Sequence, residues 1–405
     1  MAGAGARPRA QWPLEIQPEP AYGGSGRKQG GTRGMPPDFV GPAYRTLLQR
    51  RRSPQTSEAV HLLTGRIEAE APAADRYTVI YPPTINYEYM KQRPQHLMEQ
   101  FAADGHRVYY LNIWGSNATP VEVQPNLVVV HRAADIERLP RSHPVVLWMS
   151  WSETVNWIDR IRPDVAVYDC LDDFPEWAAA ERLIVPRVDL VTATSEALYE
   201  KMRRTHPRVL LVRNACEYER FSGLASAPDP PDWPRLDPDI PVVGYVGALG
   251  HWLDDEIVAR VAERYEVVLV GPYLGHRRVV HPRVHYLGLR PYEALPSYLK
   301  RMRVLTIPFV DSQLTRATNP IKMYEYLATG KPVVATALPE ALRMPLIRVA
   351  RTPGEFLARV DEAVREVGFT AAAERQAFAR MNSWRVRYEA IRDAIDAVWR
   401  EKTGG

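Results

Sequence analysis

The segment from Arg316 to Glu325 concentrates groups able to hold an anion and a polyhydroxyl ligand. Pro320 suits the first turn of a helix, where its missing N–H costs nothing. Ile321, Tyr324 and Leu327 recur at helical spacing and predict a buried face. Gly330 ends the helix, Pro332 blocks its continuation, and Val333-Val334-Ala335 reads as a short buried strand. A helix starting after a polar loop at a sheet edge presents free N–H groups and the positive end of its dipole, which attract anions. Lys322 in the first turn and Arg316 just before it would add cationic charge. Glu325 lies about one turn in, at the Ile321 margin of the apolar stripe, where a carboxylate can accept hydrogen bonds from sugar hydroxyls. The plainer readings are an exposed helix lysine and a surface glutamate steadied by the dipole. Asn319 either caps the helix or contacts a bound sugar. Gly247, after the strand Val242–Val246, lets backbone approach phosphates or simply makes a tight turn.

The elements around this segment are those of parallel sheets. From Tyr77 onward, short Val/Ile/Leu/Tyr runs alternate with helical patterns, which predicts an α/β fold of doubly wound, Rossmann-like domains. Strands are expected at Tyr77–Tyr81, Val108–Leu111, Val128–Val130, Val145–Trp148, Val165–Tyr168, Leu190–Ala193 and Val209–Val212, with a helix from about Gln92 to Ala103. Residues 226–241 hold six prolines and several aspartates, a stiff, exposed linker. A second alternation begins at Val242. The expected organisation is a tail over residues 1–75, an N-terminal domain over 76–225, the linker 226–241, a C-terminal domain over 242–382, and a helix over 383–400.

Composition narrows the function classes. The 405 residues suffice for two good cores, and 45% hydrophobic with 25% charged residues is ordinary for a soluble protein. A net charge of +4 does not argue for nucleic acid, which needs a concentrated basic face. Cys170 and Cys216 make no disulfide framework and lack metal-ligand spacing, which fits a reducing, cytoplasmic compartment. No apolar run is long enough to span a membrane. Residues 1–43 are rich in Gly, Pro, Ala, Arg and Gln, the composition of a solvated tail. Val40–Arg52 sets Leu47 and Leu48 beside Arg50-Arg51-Arg52. It reads either as solvated chain or as a weak peripheral contact with anionic membrane lipid.

The Thr318–Ala335 stretch resembles the donor-binding helix of GT-B fold glycosyltransferases, in particular the large retaining family with two glutamates followed by a small-Gly-Pro-Val-Val strand. Glu325 matches the second glutamate, and Ala317 stands where the first would be. Further motifs resemble a bacterial subgroup of these enzymes: Arg93-Pro94-Gln95, Gly105-His106-Arg107-Val108, Tyr168-Asp169-Cys170-Leu171-Asp172-Asp173 and Asp189–Ser195. Asn214-Ala215-Cys216-Glu217 replaces the Asn-Gly-Val-Asp usual in relatives. Leu287–Glu293, with Arg290, resembles the loop bordering the nucleotide base. The resemblance covers roughly residues 76–400.

It implies two Rossmann-like domains facing each other across a cleft, the final helix crossing back to the N-terminal domain, and no cofactor. The expected substrates are a nucleotide diphosphate sugar, of the UDP or GDP type, and a saccharide or lipid-linked acceptor, as in envelope polysaccharide synthesis. Donor-binding candidates are Gly247, Arg290, Arg316, Asn319, Ile321, Lys322 and Glu325. The arginine that many relatives carry after the first C-domain strand is absent from Gly247–Trp252, a gap that Arg316, Lys322 or Arg93 would fill. Arg93, Asn86 and Tyr87 are assigned to the acceptor or phosphate side. Glu325, Asp172 and Glu153 are the catalytic candidates, although Asp172-Asp173 serves equally as a helix cap. No Asp-x-Asp triplet follows a strand, so no metal is called for. A degenerate, binding-only member of the fold and a nucleotide-sugar epimerase are the alternatives.

Overall fold

The computed structural model describes residues 76–113, 118–275 and 278–404. The tail over residues 1–75, with its basic stretch Val40–Arg52, lies outside them. Two parallel sheets dominate. The first comprises β1 (Thr78–Tyr81), β2 (Arg107–Leu111), β3 (Val121–Gln124), β4 (Leu127–Val130), β5 (Val145–Met149), β6 (Val165–Cys170), β7 (Leu190–Ala193) and β8 (Val209–Leu211). Their spatial order is β3-β4-β2-β1-β5-β6-β7-β8. The apolar runs are continuous rather than alternating because both faces are covered, as in β1, β4, β5 and β6, where every residue is buried. One strand unforeseen in the sequence, β3, pairs antiparallel on the edge. It is mostly exposed, and its Glu122 blunts further edge pairing.

The second sheet contains β9 (Val242–Val246), β11 (Glu266–Val270), β13 (Val284–Gly288), β14 (Val304–Ile307), β15 (Val333–Thr336) and β16 (Arg348–Ala350), in the order β13-β11-β9-β14-β15-β16. Between them lie β10 (Leu249–Gly250) and β12 (Tyr273–Leu274), which form a small sheet of their own. Both large sheets wind outward in two directions from a central strand. The architecture is therefore α/β with two Rossmann-like halves, and the crevices that bind ligands lie where the order reverses, beyond the carboxyl ends of the strands. Those points are β1/β5 in the first sheet and β9/β14 in the second.

The helices used below are α1 (Arg93–Ala103), α2 (Ala178–Ile184), α3 (Glu196–Met202), α4 (Ile321–Ala328), α5 (Phe369–Met381) and α6 (Trp384–Thr403). Helix α6 leaves the C-terminal half and packs on α1. Its Trp384, Tyr388, Ile391, Ile395 and Val398 join a core with Leu97, Phe101 and Trp148 under one face of the first sheet. The other face and the second domain have cores of their own. The proline-rich linker is less exposed than its composition suggests. Trp233 and Leu236 pack on the C-terminal core, and Asp232 bonds Arg290 and Tyr298.

Candidate functional site

Lys322 lies at the C-terminal switch point. Gly247 follows β9 at φ 147°, a conformation reserved for glycine, and its N–H donates to the Val270 carbonyl at 2.8 Å. A Cβ at Gly247 would lie 2.7 Å from Lys322 Cε, so the bare glycine makes room for the lysine stem. The Lys322 ammonium sits 5.3 Å from the Tyr245 ring centre and 5.2 Å from that of Phe309, residues from the ends of β9 and β14. Burial pushes its pKa down to about 8, against the attraction of Glu325 and Asp172. This is a cation in the first turn of a helix, at a crevice built for ligands.

Glu325 lies on the next turn of α4 and is 8% exposed. Its Oε1 accepts from the Tyr292 hydroxyl at 2.9 Å. Burial raises its pKa to about 7, more than the Tyr292 bond and the Lys322 charge lower it. Tyr292 is held by the Lys91 ammonium at 5.4 Å, the Arg220 guanidinium at 5.3 Å and the edge of His96 at 5.3 Å. Glu325 therefore shares a proton-rich pocket with a phenol whose own ionisation burial suppresses.

The N-terminal domain meets this helix at the ends of β6, β7 and β8. Thr318 donates to Asp172 at 2.7 Å, and Ser195 Oγ donates to the Ala317 carbonyl. Asn214 donates twice to Asn319, from its backbone N–H to Oδ1 at 2.9 Å and from its Nδ2 to the carbonyl at 2.5 Å. Asp172 is half-buried, and desolvation raises its pKa despite the Thr318 bond. It is the N-domain carboxylate whose charge Lys322 feels.

Several expected site residues have other partners. Arg93 is buried and forked on the fully buried Asp169, and it also donates to the Val212 carbonyl. It braces the N-terminal domain and reaches no cleft. Arg316 is exposed and paired with Asp311. Arg290 is engaged by Asp232 and Tyr298. Asn319 does not cap α4, and its side chain is used by Asn214 and Glu340. Ile321 packs into the N-terminal core. Asn86 Oδ1 accepts from the Ile113 N–H, and Tyr87 donates to Glu99 and lies edge-on to Tyr110. Both brace their loop and are half-buried. Asp173 caps no helix; it binds Lys201 and Gln313. Glu153 is exposed on the turn after β5 and has no partner among the described residues.

Comparison with known proteins agrees with this geometry. Residues 240–365 match the family model for glycosyl transferases group 1. A Bacillus subtilis protein, provisionally named as the teichuronic acid biosynthesis glycosyltransferase TuaH, is 27% identical over 266 residues; the match covers 56% of this chain and 66% of that protein. Among solved structures, sucrose-phosphate synthase from Thermosynechococcus elongatus superposes with a TM-score of 0.64 at 14% identity, over 80% of this chain and 99% of that one. A trehalose-6-phosphate structure from E. coli, bound with UDP-2-fluoro glucose, gives 0.60 at 10% identity, over 80% of this chain and 98% of that one. The fold is GT-B, and residues 240–365 resemble the glycosyl transferases group 1 family.

Within residues 240–365, the sequence pointed to Lys322, Glu325 and Gly247 but not to their neighbours. Tyr245 and Phe309 are seen only once β9 and β14 stand side by side. The cluster behind Tyr292 also went unforeseen. His96, Glu99 and Glu217 bring donor atoms within 4.8 Å of one another. The Lys91 ammonium lies 2.6 Å from each glutamate, so a lysine balances the two charges. Glu217 is held well below the usual carboxylate range against its own burial, chiefly by His96 and Lys91. Lys91 and His96 flank the Arg-Pro-Gln motif, which was the one signal available.

Proposed function

We propose that this GT-B protein is a glycosyltransferase that moves a sugar from a nucleotide diphosphate donor, of the UDP or GDP type, to a hydroxyl of a saccharide or lipid-linked acceptor. The observation that carries this reading is the Lys322 ammonium, set over Gly247 in the first turn of α4 against the Tyr245 and Phe309 rings, with no ion-pair partner among the described residues, and Glu325 one turn on. A diphosphate laid against Gly247 would meet the Lys322 charge and the free N–H groups of the helix. Ribose or sugar hydroxyls would donate to Glu325. As the anomeric carbon–oxygen bond breaks, negative charge grows on the diphosphate, and Lys322 stabilises it where it forms. The acceptor hydroxyl attacks the anomeric carbon from the N-terminal side. Asp172, with its raised pKa, is the carboxylate best placed to take that proton.

The relatives support an envelope role, since the B. subtilis protein is named for teichuronic acid biosynthesis. No helix among the described residues is long and apolar enough to cross a membrane, and a cytoplasmic place with peripheral lipid contact remains part of this reading. A binding-only role draws on Arg93 and Arg316 both being paired elsewhere, which leaves Lys322 to face the diphosphate. A thermal-shift screen with UDP, GDP, dTDP, ADP and CMP and their sugar conjugates tests the proposal. Binding at a hundredfold excess over Kd adds about 2.7 kcal/mol of stability. A shift with one nucleotide diphosphate, followed by slow hydrolysis of its sugar conjugate, supports the transferase. A shift without hydrolysis or transfer favours the binding role.

A further inference from the structure

Three aromatic side chains at the mouth of the N-terminal sheet belong to none of the three cores. Trp151 follows β5, and Phe174 and Trp177 follow β6. All three are half-buried, whereas Trp148 is fully enclosed and Trp157 packs against a core. The Phe174 and Trp177 rings lie 4.4 Å apart at 49°. Ser152 Oγ donates to the Trp177 carbonyl at 3.4 Å, and α2 packs on the turn Ser152–Thr154, so the two loops form one surface. Trp151 follows β5 at the switch point β1/β5, where an open α/β sheet takes its ligand, and Phe174 and Trp177 follow the adjoining strand β6. Phe174 is two residues from Asp172, at most about 7 Å along the chain. Two carboxylates flank the rings. Glu153 and Glu176 are exposed and have no partner among the described residues.

We propose that Trp151, Phe174 and Trp177 form a stacking shelf for a neutral pyranose ring of the acceptor, with Glu153 and Glu176 accepting its hydroxyls. This deepens the transferase reading and rests on it for the word acceptor, though not for the sugar site itself. Aromatic faces cover the apolar C–H face of a sugar and leave its hydroxyls at the edge. Free carboxylates there accept from those hydroxyls and repel a uronate, so the shelf selects neutral over acidic rings. A ring seated on Phe174 and Trp177 presents a hydroxyl towards Asp172.

The test titrates the full chain with cellobiose and methyl β-D-glucopyranoside, against methyl β-D-glucuronide, following tryptophan fluorescence and saturation transfer from protein to sugar protons. Neutral sugars should bind saturably, and the glucuronide severalfold more weakly. Trp177→Leu and Phe174→Leu should each weaken cellobiose roughly tenfold. Glu153→Gln with Glu176→Gln should erase the discrimination. The thermal shift with a nucleotide diphosphate should be unchanged in all three variants, which also reports that they fold. Equal cellobiose binding by wild type and both aromatic variants would overturn the shelf. So would binding of long-chain alkyl glycosides alone, which would assign the rings to lipid. Absence of any nucleotide shift counts against the transferase reading only, because the sugar titration reads the shelf independently.

Discussion

Lys322 combines two properties that pull against each other. A half-buried ammonium with no hydrogen-bond partner among the described residues destabilises the free protein, and the same ammonium is what a diphosphate requires. Lys322→Met should therefore raise the melting temperature of the free protein by ~2–4 °C, about 1 kcal/mol, while nucleotide diphosphate affinity falls at least tenfold by titration calorimetry. The pH dependence follows from the depressed pKa. Between about 8 and the ordinary lysine value of 10.5, the unfolded chain holds a proton on this residue that the folded protein has lost. Stability from this group therefore rises with pH across that window. Affinity for the diphosphate runs the other way and drops as pH passes about 8. A variant whose nucleotide affinity stays flat from pH 6 to 9.5, matching wild type, would remove Lys322 from the site. Glu325→Ala should lower donor affinity or turnover roughly tenfold, the worth of a lost hydrogen bond to a charged group. Its effect on stability should be small, since ionised Glu325 is itself penalised by burial above about pH 7. Wild-type kinetics would release Glu325 from its role. The placement of these two residues at the start of α4 was legible because helix register and a glycine turn are local signals. The Arg93 ion pair was not legible because Arg93 opens α1 and its partner Asp169 lies on β6, and no local pattern reveals a buried ion pair between segments far apart in sequence.

What places Lys322 is the stretch Ala317–Pro320, and its anchors are carboxylate and amide groups of other elements. Glu340 is 2% exposed. It accepts from Arg213 at 2.8 Å, from Asn319 Nδ2 at 2.8 Å and from the Glu196 N–H at 3.0 Å, at the start of α3. One carboxylate thus ties two segments of the N-terminal domain to the loop that opens α4. Glu340→Ala should destabilise the protein by about 3–5 kcal/mol, the usual consequence of removing one partner of a buried charged network. Chemical denaturation would measure it. Glu340→Gln keeps the shape and should recover part of the loss. A change under 1 kcal/mol in the alanine variant would show that the two Asn214–Asn319 bonds suffice alone. Such braces leave no trace in the sequence, where Asn319 looks like a cap and Glu340 like the opening of another short helix. Elements were legible to the degree that they repeat apolar residues. Strands such as β5 and β11 stood out as Val/Leu runs. Helix α5 did not, since it is alanine-rich and buries mainly Arg375 and Ala379. Nor did β16, a three-residue edge strand that begins with Arg348.

At the scale of the whole molecule, α6 belongs by sequence to one half and by packing to the other. Trp384, Tyr388, Ile391, Ile395 and Val398 are each at most 4% exposed in the N-terminal core. Polar contacts fix its register: Tyr388 donates to Asp104 at 2.5 Å and meets His106 Nε2 at 3.0 Å, and Arg385 pairs with Asp104. At ~1.5–3 kcal/mol for each large apolar side chain fully buried, the five together supply on the order of 8–15 kcal/mol. A domain's net stability is only about 5–15 kcal/mol. The N-terminal domain therefore has no margin to lose this helix. A fragment of residues 76–225 should bind an apolar dye and melt without a cooperative transition. Adding a peptide of residues 383–404 should restore cooperative melting and expel the dye, in proportion to peptide occupancy. The Ile391→Asp, Ile395→Asp double-substituted peptide should not, because two charges would enter that core unpaired. If the 76–225 fragment melted cooperatively alone, the N-terminal core would be complete without α6, and the crossing helix would join the halves without supporting either.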